Sequence, residues 1–298
     1  LRIARYVYHG TESYGVIKED KIVDLPKLSK IKGSPMPENI AGLISQGSQA
    51  ESLVTELIDT VSENRDKEYI LNRSEVKLIA PVCDPPKIIC LGLNYKNHAQ
   101  ETGQLLPDEP IIFIKPRTAI VGPEQPVIKP AFVEKLDYEV ELAIIIGRKG
   151  RNIPVSCAKD HIFGYTVFND ISARDIQFKD GQWTRGKSFD TFAPIGPCIT
   201  TAAEISDPNN LRLCTRVNGE TRQNSSTSQM VLNVYEIIHH LSRVMTLEPL
   251  DIIATGTPAG VAAFTKPTPK YLQPGDIVEV EVEGIGVLRN PIVEDKHP

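Results

Sequence analysis

The chain has 298 residues, 41% hydrophobic and 24% charged, with a formal net charge of −5. That balance excludes a disordered or low-complexity chain, and with no block of like charge it argues against nucleic acid or an anionic membrane surface as a partner. No apolar run approaches the roughly 20 residues needed to span a bilayer.

Residues 1–75 read as a small separate module. Strand-like "RIARYVY" and "YGVIKEDKIVDL" come first, and a helical stretch follows from "MPENIAGLISQG" through "ESLVTELIDTVSENR". The opening lacks the apolar core and small-residue cleavage site of a signal peptide. The expected compartment is the cytoplasm, with the mitochondrial matrix as the alternative if a presequence has been removed, and a first residue of Leu does not fix it. Five cysteines, an odd number with no CxxC pair, favour reduced thiols over a disulfide or zinc framework.

Residues 76–298 change character, with β-branched runs broken by Pro and Gly. Strands are predicted at "KIICLG", "PIIFIKP", "EVELAIIIG", "IFGYTVFND", "PCITT", "LRLCTRVNG", "DIIATGT" and "DIVEVEVEGIGVLRN". Helical patches are fewer: "NHAQETG", a turn or two around "ISARDIQF", and "VLNVYEIIHHLSRVM". In the last, Leu232, Tyr235, Ile238 and Leu241 fall on one stripe. Asn218-Gly219 is the signal of a type I′ hairpin. The pattern is a β-rich α+β domain and not alternating βαβ.

Within "KLDYEVELAIIIG", Glu139 and Glu141 are two apart and share a strand face. At about 5 Å, two carboxylates repel by about 3 kcal/mol at an effective dielectric near 20. A cation, a proton or paired Lys and Arg would offset that, or the face is simply solvated. A solvated face is the reading for Glu279, Glu281 and Glu283 in "DIVEVEVEG". A second acid, Asp170, ends the strand "FGYTVFND". It is either an Asx turn or helix N-cap before "ISARD" or the third member of an all-oxygen set suited to Mg²⁺, Mn²⁺ or Ca²⁺. Three carboxylates leave half of an octahedral shell for water or substrate, as Lewis-acid catalysis requires.

"LGLNYKNHAQETG" places His98 and Glu101 three apart, on one face of a helix. They form either a general acid/base pair or a surface pair on a loop helix. Gly103 and "LLPDEP" suggest a mobile connection after it. Lys115, Arg117, Arg174, Gln177, Arg185 and Lys187 are candidates for binding a substrate carboxylate, or surface groups. "IATGTPAGV" lacks the GK[ST] ending of a P-loop, which excludes nucleotide phosphate. His9, His161, His239, His240 and His297 match no metal spacing.

Taken together, "GLNYKNHAQE", "PIIFIKPRTAIVGP", "LDYEVELAIIIGRKGRNI", "FGYTVFNDISARDIQ", "GKSFDTFAPIGP", "RVNGETRQ", "DIIATGTPAGV" and "LQPGDIVEVEVEGIGVLRN" resemble the fumarylacetoacetate hydrolase family, in family order over about residues 80–291. The likeness is greatest to a branch with a small N-terminal module. The resemblance implies a rolled, β-rich catalytic domain in a homodimer, with Mg²⁺ or Mn²⁺ held by Glu139, Glu141 and Asp170. It makes His98 and Glu101 the acid/base pair and Lys187 a lysine pointing into the site. Thr257 would contact a substrate carboxylate, and Arg174 and Gln177 would bind substrate. Lys115 is carried as a further substrate-binding candidate. The local His98-x-x-Glu101 spacing departs from members that build this pair from distant chain positions.

The activity so implied is on a 2-oxo acid, through an enolate stabilised by the metal. The expected reaction is C–C bond hydrolysis of an acylpyruvate or related β-diketo acid, with His98 activating water. The alternative at the same site is an oxaloacetate tautomerase or decarboxylase, or a hydroxydienoate isomerase, and the branch likeness raises it. A non-enzymatic member would have lost a ligand or the His–Glu pair, and this sequence keeps both.

Overall fold

Strand Val140–Ile146 runs through the middle of a twelve-stranded sheet and is buried on both faces. The computed structural model describes residues 1–47, 49–61 and 67–296, and the counts here are of those residues. The strand's side chains divide by the two-residue period. Val140, Leu142, Ile144 and Ile146 enter one hydrophobic core, and Ala143 and Ile145 the other. A run of β-branched and Leu side chains suits such a doubly covered position.

Its antiparallel neighbours are Ile162–Asn169 and Ile252–Ala254. Ile252–Ala254 pairs in parallel with Ile88–Gly92, and the sheet ends there on Ile111–Lys115. In the other direction the path runs through Ala193–Thr201 to Arg2–Tyr8, Thr11–Lys18, Lys21–Asp24 and Ile70–Asn72. A second sheet of five strands contains Arg212–Val217, Glu220–Ser226, Ile277–Val282, Gly286–Glu294 and Val127–Lys129. It closes the larger core together with helix Val234–Val244.

The segment expected as a module over residues 1–75 is joined to the rest by sheet and by core. Arg2 and Ile3 pair with Thr200 and Ile199. Its helices Leu25–Lys32, Ile40–Ile44 and Gln49–Ile58 share a core with Ile88, Cys90, Ala143 and Ile145. The expected helical stretch reaches residue 65, and residues 62–65 lie outside the described residues, as does His297.

The eight predicted strand regions of the second part are strands, and "DIVEVEVEGIGVLRN" forms an antiparallel pair. Asn218 and Gly219 both have positive φ, 51° and 81°, as a type I′ turn requires. The predicted stripe starting at Leu232 shifts. Leu232 precedes the helix, and Asn233 caps it with Glu236 in a capping box. The buried face is Val234, Ile237, Ile238 and Leu241. Glu279 and Glu281 lie half-exposed on one strand face and flank Arg216. Among the described residues no helix is long and apolar enough to cross a membrane.

Candidate active site

Strand register brings the three acids together. Val140 lies opposite Asn169, so Glu139 and Asp170, one residue outward on each strand, are neighbours. The Asp170 amide donates to the Glu139 carbonyl at 2.9 Å, and the Glu139 amide donates to the Asn169 side chain at 3.0 Å. Glu141 falls on the next position of the same face. One carboxylate oxygen from each of Glu139, Glu141 and Asp170 lies within 4.8 Å of the others, and all three residues are buried. That burial sets aside a solvated face, and the helix Arg174–Asp180 begins after Ala173, so Asp170 is not its N-cap. Among the described residues this is the one cluster of His, Cys, Asp or Glu with such spacing.

Three cations serve the cluster. Lys187 Nζ donates to Glu139 at 2.8 Å and to Asp170 at 2.7 Å. Arg174 donates to Glu139 at 2.5 Å, to Asp137 at 2.8 Å and to Gln177 at 2.9 Å. Lys115 Nζ pairs with the other oxygen of Asp170 and with the Ile171 carbonyl. Burial works against a charge on Glu139, but Lys187 and then Arg174 outweigh it and hold its pKa at about 2. Burial likewise opposes the Lys187 ammonium, and Asp170 and Glu139 reverse that and push it up.

Glu141 is the member left over. The Gly256 amide donates to its Oε2 at 2.7 Å, and its buried Oε1 has no partner. Burial, then the charges of Asp170 and Glu139, push its pKa well up. A buried carboxylate oxygen without a donor costs about 1–3 kcal/mol or more. A divalent cation fits the site on these grounds. The donors are hard oxygens, and the orphaned atom belongs to the same cluster.

His98 sits on the short helix Lys96–Thr102, which ends at Gly103 with a φ of 69°. Its Nδ1 is 3.2 Å from Glu101 Oε2, and Glu101 Oε1 accepts the Gly260 amide at 3.0 Å. Asn94 ties the chain just before the helix to the Thr255 and Leu232 carbonyls. A narrow pocket of about 90 Å³ opens beside it, lined by His98, Glu139, Arg174, Gln177, Lys187 and Thr257 among others. Aromatic walls flank these groups: Trp183 and Phe113 on one side, Phe264 and Phe178 on the other.

One expected substrate contact is placed differently. Lys115 does not line the pocket; it lies fully buried behind Asp170 as that acid's counter-ion. The Thr257 hydroxyl reaches the pocket wall, but it already donates to the Val140 carbonyl at 3.0 Å and accepts from Gln223 at 2.9 Å. Arg117 and Arg185 are exposed and paired with Asp84 and Asp180, away from the cluster.

Sequence reasoning missed Asp137, Asn169, Gln223 and Trp183. Asp137 was legible as the first of three acids spaced by two, 137, 139 and 141. It accepts from Arg174 and from the Ala262 and Ala263 amides, so it orients the arginine and pins the loop after Gly260.

The family model described as the fumarylacetoacetate (FAA) hydrolase C-terminal matches residues 87–293. The chain is 48% identical over 228 residues to the mitochondrial oxaloacetate tautomerase of Xenopus laevis, covering 76% of this chain and 71% of that protein. Among solved structures, it resembles a 2-hydroxyhepta-2,4-diene-1,7-dioate isomerase from Mycobacterium marinum (34% identity, all of both chains, TM-score 0.77). It also resembles a maleylpyruvate hydrolase from Sphingobium sp. SYK-6 in complex with manganese(II) ion and pyruvate (31% identity, 99% of this chain and 100% of that chain, TM-score 0.81). The match over residues 87–293 takes in every residue of the buried cluster and its flanking pocket, and the chain belongs to the fumarylacetoacetate hydrolase family.

Proposed function

We propose that the protein is a divalent-metal-dependent enzyme that moves a proton at C3 of a small 2-oxo acid, with keto–enol tautomerisation of oxaloacetate as its reaction. The carrying observation is that the His98–Glu101 pair and the Glu139 edge of the acid cluster open onto one narrow pocket. The 48% identity to a tautomerase supports the choice of oxaloacetate.

Glu139, Glu141 and Asp170 would hold Mg²⁺ or Mn²⁺, which would supply Lewis acidity to the reaction. Lys187 and Arg174 line the pocket and offer N–H donors to the acid's carboxylate, and each keeps its position through buried carboxylates. Glu101 accepts from His98 Nδ1, which fixes the tautomer and leaves Nε2 to take the proton. As His98 Nε2 removes a C3 proton, the C–H electron pair forms the C2–C3 double bond and the 2-oxo oxygen gains charge. Return of a proton to that oxygen gives the enol, and the reverse path restores the ketone. Phe264 stands edge-on to the His98 ring at 6.3 Å and lines the same pocket.

C–C bond hydrolysis of an acylpyruvate is the second reading, favoured by the likeness to maleylpyruvate hydrolase. His98 would then deprotonate a water that attacks the distal carbonyl. A homodimer belongs to the same proposal. Ile111 and Ile114 on the terminal strand of the large sheet, and Leu105 before it, leave apolar surface exposed at that edge.

Proton NMR of oxaloacetate and of acetylpyruvate with enzyme and Mg²⁺, repeated with a chelator, tests the assignment. Metal-dependent enol–keto exchange of oxaloacetate without cleavage is expected. Release of acetate and pyruvate from acetylpyruvate would move the assignment to hydrolase, and pyruvate from oxaloacetate to decarboxylase.

A further inference from the structure

Trp183, the only tryptophan in the chain, lies across Gly92 at the end of strand Ile88–Gly92. A Cβ on residue 92 would lie 1.8 Å from Cζ3 and 2.4 Å from Cη2 of the indole. The ring therefore rests on bare backbone, in space that a side chain at position 92 would occupy. Both residues line the narrow pocket. Trp183 also stands edge-on to Phe113 at 5.8 Å, and Phe113 carries the Lys187 ammonium over its ring at 4.9 Å.

The placement of the indole is fixed from both ends. Gly181 turns the chain with a φ of 65°, and Gly186 packs so closely on Gln177 that a Cβ would lie 2.8 Å from its amide nitrogen. Between them, Trp183 opens the short helix Thr184–Lys187, whose last residue is the lysine of the acid cluster. The polar groups and the indole thus line one pocket, with the indole as an apolar wall. A wall of this kind acts on whatever apolar part of a bound acid lies against it.

We propose that Trp183, seated on Gly92, is the specificity-determining residue that sets the longest 2-oxo acid the pocket accepts. The inference rests on the 2-oxo acid reading and adds a length limit to it. An apolar wall discriminates by contact and exclusion, and one methylene in such a pocket is worth roughly 10–200-fold.

The test uses straight-chain 2-oxo acids from pyruvate to 2-oxooctanoate, titrated calorimetrically into Mg²⁺-loaded protein. Wild-type affinity should fall sharply beyond a short chain length. In Trp183→Ala the fall should move outward by at least one methylene, with the longer acids gaining roughly tenfold or more relative to pyruvate. Gly92→Ala, which must push the ring aside, should change the tryptophan emission and alter the length profile in a folded protein. An unchanged profile in Trp183→Ala, or an equal loss for every acid, would overturn the proposal while leaving the 2-oxo acid reading intact. Wild-type protein that binds neither oxaloacetate nor any acid of the series would overturn that reading and this proposal with it, and protein that binds oxaloacetate but none of the series would overturn the length limit alone.

Discussion

The Gly256 amide holds one oxygen of Glu141 at 2.7 Å, and the other oxygen, equally buried, has no partner. Gly256 has a φ of 96°, a left-handed conformation that favours glycine, and it is what turns the strand end Ile252–Ala254 toward the acid. The half-satisfied carboxylate therefore follows from the fold. It marks where the cluster is short of one positive partner.

Mg²⁺ or Mn²⁺ should raise the melting temperature of the wild-type protein. At a hundred times the dissociation constant, binding stabilises by about 2.7 kcal/mol. Glu141→Gln, which keeps the shape and removes the charge, should lose most of that shift. Thermal scans with metal and with chelator decide it, and an equal shift in the variant would show that Glu141 holds no cation.

Without metal, Glu141 should also set a pH dependence. Burial and the neighbouring charges raise its folded pKa above the unfolded value of about 4.3. The unfolded chain then ionises first, so wild-type stability falls relative to Glu141→Gln as pH rises past about 4.3, levelling off above the folded pKa. The difference in melting temperature between variant and wild type, measured in chelator from pH 4 upward, should widen in favour of glutamine. A difference constant with pH would contradict the assignment.

Arg174 is bonded to Asp137 and Glu139, all three buried. Arg174→Met leaves two carboxylates without their guanidinium and should destabilise the fold by about 3–5 kcal/mol. Arg174→Lys reaches fewer acceptors and should fall between. Urea denaturation of the three proteins checks the order.

His98→Gln should lower turnover by about 10²–10⁴-fold while the metal-induced thermal shift persists. Glu101→Gln keeps a hydrogen-bond partner for His98 but removes the carboxylate, and should cost less. Parallel rate and thermal-shift measurements separate the two roles. A His98 variant with full rate would remove it from the proton path.

What was legible in the sequence had a local period or a local spacing. Glu139 and Glu141 declare themselves by alternation, Asp170 by ending an apolar strand, and His98 and Glu101 by helical spacing. Whether the acids met water or one another was not legible, because that depends on the Val140–Asn169 register. Lys115 read as a pocket cation, yet only the fold shows it behind Asp170, 55 residues away in sequence. The contact of Trp183 on Gly92 has no local pattern at all. The first strand pairs with Lys77–Ile79 and, nearly two hundred positions away, with Ile199 and Thr200, and neither pairing leaves a local pattern in the sequence. Asn233, a helix cap with a capping box, was read through because the apolar stripe beside it was stronger.

The most direct test of the account follows the ultraviolet decay of enol-oxaloacetate to the ketone. Wild-type protein with Mg²⁺ should accelerate the decay over the same buffer with Mg²⁺ alone, and both a chelator and His98→Gln should remove the acceleration. Acceleration that survives the chelator and the His98 substitution would contradict a proton moved by His98 beside a metal held on Glu139, Glu141 and Asp170.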